Sequence, residues 1–141
     1  MFRRILVAVD PTHAEEGGRA ISTALAQLAQ GGEIRLITII SGEGTAFFPY
    51  VPDQPIEATE AQAQQSLETL AQEYLSGQAS HDLRVLHGVT EHTLADEVTA
   101  WEADLLVLTS HASSGWALHR DTVQKICGDP PCAVLVLPAP E

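Results

Sequence analysis

Asp104-Leu-Leu-Val-Leu-Thr-Ser-His-Ala-Ser-Ser-Gly-Trp116, continuing to Cys132-Ala-Val-Leu-Val-Leu-Pro138, reads as a buried strand, a loop, a helix and a second buried strand. Runs of Leu and Val without polar interruption are what a strand carries when both its faces are covered. Loops after such strands commonly bind phosphates, yet Gly115 is the only glycine between Thr109 and Thr122.

Toward the amino end the same signal recurs at Ile5 to Val9, at Ile34 to Ile40 and, most weakly, at Leu83 to Leu86. Helical stripes lie between the runs: Ile21, Leu25 and Leu28 with Ala24 and Ala29; Leu67, Leu70, Ala71, Tyr74 and Leu75; Leu94, Val98 and Trp101; Val123, Ile126 and Cys127. Strands that alternate with helices require right-handed crossovers, which give a parallel sheet covered on both sides. The expected fold is therefore α/β, a doubly wound open parallel sheet of five strands with helices on both faces. Ligands of such sheets sit beyond the carboxyl ends of the strands, where the winding changes direction. This singles out Asp10 to His13, Ser41 to Gly44, His87 to His92 and Thr109 to Gly115.

The 141 residues suit a single domain spanning 1–141, and 45% hydrophobic content excludes global disorder. No apolar run approaches the roughly 18 residues of a membrane helix, so no membrane partner is expected. Arg3-Arg4 before Ile5 to Val9 has the look of a short export signal, but Asp10 ends the run and no small-residue cleavage site follows. The reading is a first strand in a cytoplasmic protein. A net charge of −12, with Lys125 the sole lysine, repels polyanions and excludes nucleic acid as a partner.

Cys127 and Cys132 stand in apolar surroundings and are expected to be small buried hydrophobes rather than a redox pair. His13, His87, His92, His111 and His119 fall near the expected carboxyl rim, but no pair has zinc-helix spacing, so no metal site is expected. The connection from Ser41 to Ile56 is long for this fold class and carries Phe47, Phe48 and Tyr50, which suggests a lid, a subunit contact or a loop packed on its own domain.

Several segments together resemble the universal stress protein family: Arg4-Ile-Leu-Val-Ala-Val-Asp10, Leu36-Ile-Thr-Ile-Ile40, Gly88 with Thr90-Glu-His92, Asp104 to Leu108 with Ser110-His111, and Pro131-Cys-Ala-Val-Leu-Val-Leu137. The resemblance implies a Rossmann-like sheet in the order 3-2-1-4-5, a homodimer formed through the last strand, and cytoplasmic stress-response roles.

ATP-binding members of that family look like Gly-x-x-Gly, nine residues, then Gly-Ser or Gly-Thr after the fourth strand. Glycine there lets backbone N–H groups approach the phosphates and permits positive φ. Aligned on His111, this chain has Thr109 and Ala112 at the first two glycine positions and Asp121-Thr122 near the third. A non-glycine residue forced into the left-handed region costs about 1 to 2 kcal/mol. Each lost charge-assisted hydrogen bond removes about 1.5 to 3 kcal/mol more. Two such losses take roughly micromolar binding to roughly millimolar.

The chain thus resembles the members without the glycine-rich loop. The expected function is a non-enzymatic, dimeric stress-response or regulatory module with an altered nucleotide pocket, an unidentified protein partner and no cofactor. The homodimer contact is expected at Ala133 to Leu137, an apolar edge. The alternative is an ATP- or AMP-binding sensor that uses Asp10, Ser110, Ser114, Gly115 and Thr122. Asp10-Pro11 also fits a plain turn after the first strand. Other chemistries on this fold lack their residues. Strand three ends at His87 rather than at a phosphoacceptor Asp, Gly17-Gly18 does not make a dinucleotide fingerprint, and Ser113-Ser114-Gly115-Trp116 has no partner base at a motif spacing.

Overall fold

A computed structural model describes residues 1–10, 13–40, 56–109 and 120–138. The chain runs β1 (Phe2–Ala8), α1 (Ala14–Gln27), β2 (Leu28–Ile40), α2 (Ile56–Tyr74), β3 (Ser80–His87), α3 (Thr90–Trp101), β4 (Leu105–Thr109), α4 (Arg120–Gly128) and β5 (Ala133–Leu137). All neighbouring strands are parallel, in the order β3-β2-β1-β4-β5. This is the doubly wound α/β architecture expected from the alternation of runs and stripes. No helix among the described residues is long and apolar enough to cross a membrane.

The central strands carry two cores because their side chains alternate between faces. Ile5, Val7, Ile34, Leu36, Leu105 and Val107 point to the side covered by α1 and α2, where Ile21, Ala24, Leu67, Leu70 and Leu75 meet them. Leu6, Ala8, Ile37, Ile39, Leu106 and Leu108 point to the opposite side, against Leu94, Val98 and Ile126 of α3 and α4. The uninterrupted apolar runs in the sequence are these two alternating sets read in order.

One helical stripe extends too far in the sequence reading. Leu28 and Ala29 belong to β2, since the backbone at Leu28 is already extended at φ −79° and ψ 130°. Leu28 keeps its contact with the α1–α2 core from its place in the strand and pairs with Phe2. Regular pairing with β1 resumes only at Arg4 opposite Glu33. The irregularity holds the four residues between, so the strand starts well before its apolar run at Ile34.

Gly18 explains itself sterically. A Cβ added there would stand 2.2 Å from Cζ of Tyr74, so glycine is what allows α1 and α2 to approach. Gly17-Gly18, examined in the sequence as a nucleotide signature, is a helix-packing feature.

Asp104 fastens the amino end of β1. Its carboxylate accepts the backbone N–H groups of Arg3 and Arg4, each at 2.9 Å, and its own N–H donates to the Arg4 carbonyl at 2.9 Å. Asp104→Ala is expected to cost about 1 to 2 kcal/mol in a urea titration, because water can replace part of this exposed clasp. An unchanged midpoint would assign the register of β1 and β4 to apolar packing alone.

Candidate functional site

The strand order places the topological switch between β1 and β4, since the chain winds outward through β2 and β3 and then returns to the other side of β1. Asp10, two residues past β1, and Thr109, the last residue of β4, are both buried at this edge. Thr109 stands opposite Leu137 of β5, so a side chain with a branched Cβ ends the strand at the position that the sequence alignment on His111 sets against the first glycine.

Asp10 closes a tight turn. Its carbonyl accepts the His13 N–H at 3.0 Å, and the His13 carbonyl accepts the Gly17 N–H at 3.0 Å, which starts α1. The carboxylate is only 2% exposed, and its Oδ2 lies 3.6 Å from Nε2 of His13, whose ring is 36% exposed. The Asp10 carbonyl thus anchors the start of α1 through His13, and its carboxylate faces the same residue's imidazole.

Beside this turn opens a cavity of about 410 Å³ lined, among the described residues, by His13, Ala14, Glu15, Glu16 and Arg19. That volume falls within the range of about 300 to 1,000 Å³ usual for small-molecule sites. Its described charges are mixed, with Glu15 and Glu16 in the first turn of α1 and Arg19 one turn later. Two carboxylates there weaken the attraction that a helix N-terminus otherwise offers to an anion. Arg19 escaped the sequence reading. The available signal was its spacing, since residues three and four apart share a helix flank, and that places it with Glu15 and Glu16.

Of the candidate ligand residues, Asp10 and Thr122 are described, while Ser110, Ser114 and Gly115 lie outside the described residues, as do Pro11, Thr12, His111, Ala112, His119 and the 41–55 connection. Thr122 is buried near the start of α4, only 4% exposed. Since α4 follows β4, its beginning lies at the same carboxyl edge as Asp10.

The described rim histidines go separate ways. His13 faces Asp10, His87 meets Glu60 of α2 at 2.8 Å, and His92 lines a groove of about 350 Å³ between α3 and α4. Among the described residues, no three His, Cys, Asp or Glu side chains gather around a point that could hold a metal ion. Lys125 of α4 reaches Glu91 of α3 at 3.3 Å. The Glu91 carboxyl is held below its ordinary range by its own backbone N–H at the start of α3, with Lys125 adding to the effect.

The cysteines correct the sequence reading. Cys127 is exposed, because it falls off the buried flank that Ile126 occupies in the last turn of α4. Cys132 is half-buried against the α3–α4 core, and its thiol is pushed up by burial and then by the negative charge of Asp104. Raised in this way, Cys132 is a poor nucleophile at neutral pH.

Comparison with known proteins agrees with this architecture. The sequence pattern of the universal stress protein family matches residues 1–138. No functionally curated protein matches the chain. Among solved structures, a universal stress protein from Burkholderia pseudomallei is 15% identical and covers 97% of this chain and 96% of its own, at a TM-score of 0.68. A universal stress protein solved in complex with cAMP is 18% identical, with 99% of this chain and 98% of that one covered, at a TM-score of 0.60. A family protein from Arabidopsis thaliana with AMP bound is 14% identical, with 97% and 92% covered, at a TM-score of 0.58. At these identities the likeness is one of fold.

Proposed function

The chain belongs to the universal stress protein family, and from that premise we propose that it is a non-enzymatic stress-response or regulatory module of the cytoplasm, one domain over 1–141, working as a homodimer on a protein partner. The carrying observation is Thr109. A buried, β-branched residue ends β4 at the switch point, where close approach of phosphate to backbone needs glycine. With Ala112 and Asp121 also in glycine positions, the pocket is altered away from triphosphate binding.

The dimer reading rests on the contrast between the two sheet edges. Each edge strand pairs on one side only among the described residues. β3 reads Ser-His-Asp-Leu-Arg-Val-Leu-His and carries charge along its length. β5 reads Ala-Val-Leu-Val-Leu, with Val134 to Leu137 half-buried and no charge to discourage pairing. An uncharged apolar edge favours a second copy of itself.

Isothermal calorimetry with ATP at tens of micromolar protein tests the pocket. The expected result is no resolvable heat of binding, and a micromolar dissociation constant would overturn the reading. A second reading, an AMP-responsive sensor, is favoured by the cavity beside Asp10 and by the relatives that hold cAMP and AMP. The two readings separate on AMP: the sensor binds it even where ATP fails, through Asp10 and Thr122 with Ser110, Ser114 and Gly115.

A further inference from the structure

β3 ends the sheet with one side open: among the described residues it pairs with β2 alone. Backbone groups alternate in direction along a strand, so a single bond tells which residues face outward. The Gly88 N–H donates to the Ile40 carbonyl of β2, and Ile40 stands opposite His87. Leu86 and Arg84 therefore also turn their N–H and C=O groups to β2, whereas Leu83 and Val85 turn theirs away from the sheet. The side chains of the same two residues point to the α1–α2 face, where they form one wall of a groove of about 470 Å³. Glu57, Glu60 and Gln64 of α2 form the other wall.

The charges select the occupant. Arg84, the one cation among the described residues that line the groove, donates to the Glu97 carboxylate of α3, across the sheet. Asp82 is likewise taken up by Arg35. Glu57 and Glu60 thus set the sign of the groove. A second copy would bring the same carboxylates and a further charge of −12, whereas a segment that carries lysine or arginine is attracted. We propose that β3 receives an extended basic segment of a partner protein as a sixth strand, its backbone on Leu83 and Val85 and alternate cationic side chains over Glu57 and Glu60. The inference rests on the reading of this chain as a module that works on a protein partner, and it names that partner's chemistry. Side chains of an added strand alternate between faces, so every second residue lies over the groove and is the one selected for charge. Main-chain bonds to β3 supply affinity that is independent of sequence.

Fluorescence anisotropy with a labelled heptapeptide that alternates lysine and valine tests this on the full chain. Two controls accompany it: the same peptide with N-methylated amides, and one with glutamate in place of lysine. The lysine peptide is expected to bind saturably and the two controls not at all. Glu57→Gln combined with Glu60→Gln is expected to weaken the lysine peptide about fivefold, the combined effect of two exposed ion pairs. Both positions are exposed on α2, and circular dichroism checks that the fold is kept. Amide hydrogen exchange read by NMR locates the peptide: on saturation Leu83 and Val85 are expected to slow, while Arg84 and Leu86, already bonded to β2, change little. Binding that survives N-methylation, ignores the two glutamine substitutions or leaves the Leu83 and Val85 amides unprotected overturns the proposal, because the peptide then sits elsewhere on an acidic surface. Absence of binding overturns it too. Protection of the Leu83 and Val85 amides that rises with chain concentration without peptide would assign the edge to a second copy and likewise overturn it. None of these outcomes bears on the ATP calorimetry, and a micromolar ATP constant would overturn the proposed module while peptide binding stood, so the two failures are distinguishable.

Discussion

Glu97→Ala is expected to lower the unfolding free energy by about 3 kcal/mol, read as a fall in the urea midpoint at constant slope. Glu97 lies on α3, with its carboxylate only 7% exposed, and it accepts hydrogen bonds from two arginines: Arg35 at 2.8 Å and Arg84 at 3.2 Å. Arg35 is also gripped through two parallel bonds to Asp82, both at 2.9 Å, and its guanidinium lies 4.6 Å from the centre of the Trp101 ring. The hydrogen bonds Arg35 donates to Asp82 are the main reason its guanidinium holds its proton even more firmly than usual, with the one it donates to Glu97 adding to it against the opposing effect of burial.

The cluster joins β2, β3 and α3 through charge on the sheet face that the rest of α3 covers with apolar contact. Removing its most buried member leaves Arg35 largely enclosed and short of one partner. Truncating one side of a buried pair costs about 3 to 5 kcal/mol, and the half-exposed position of Arg84 argues for the lower end. Glu97→Gln keeps an acceptor in place and should lose clearly less. A double-mutant cycle with Arg35→Ala should show coupling above about 1 kcal/mol, as charges in direct contact do. A loss below 1 kcal/mol for Glu97→Ala would place the cluster with ordinary surface pairs.

This cluster is also where the sequence was least informative. The apolar runs announced all five strands, because a buried parallel strand must be apolar on both faces, and the stripes announced all four helices. Leu83 to Leu86 was the weakest run for a reason visible in the fold. β3 is an edge strand, and Arg84 interrupts it to reach Glu97. Glu97 itself sits in a helix with charged neighbours, and nothing in a linear pattern distinguishes a buried carboxylate from a solvated one. The candidate site was half legible in the same sense. Asp10 follows from its place after β1, but the bond from Arg19 to Pro138 joins residues far apart in the chain and leaves no local trace.

Gly88→Ala should cost about 3 kcal/mol, although it adds a single methyl group at an exposed position. Gly88 bridges the end of β3 and the start of α3 at φ 135°, a backbone conformation that residues with a Cβ rarely adopt and that costs about 1 to 3 kcal/mol to hold. In that conformation its N–H donates to the Ile40 carbonyl at 3.2 Å, which ties the beginning of the crossover to the carboxyl end of β2. A Cβ there would also stand 2.6 Å from Oγ1 of Thr93, closer than any ordinary contact. The Thr93 backbone is fixed, since its N–H closes the first turn of α3 on the Val89 carbonyl at 2.9 Å, so relief must come from rotation of the side chain. The two penalties separate experimentally. In a Thr93→Ala background the clash is gone, so Gly88→Ala should recover about 1 kcal/mol and retain the backbone cost. Full recovery in that background would mean that the left-handed conformation carries no strain, and no recovery would mean that the hydroxyl moves aside without cost. Gly88 also belongs to the segment, with Thr90-Glu-His92, by which the chain resembles its family, and the geometry supplies the reason a glycine is needed there. The crossover must leave β3 at the carboxyl edge and enter α3 within two residues, and only a residue without a Cβ makes that turn under Thr93.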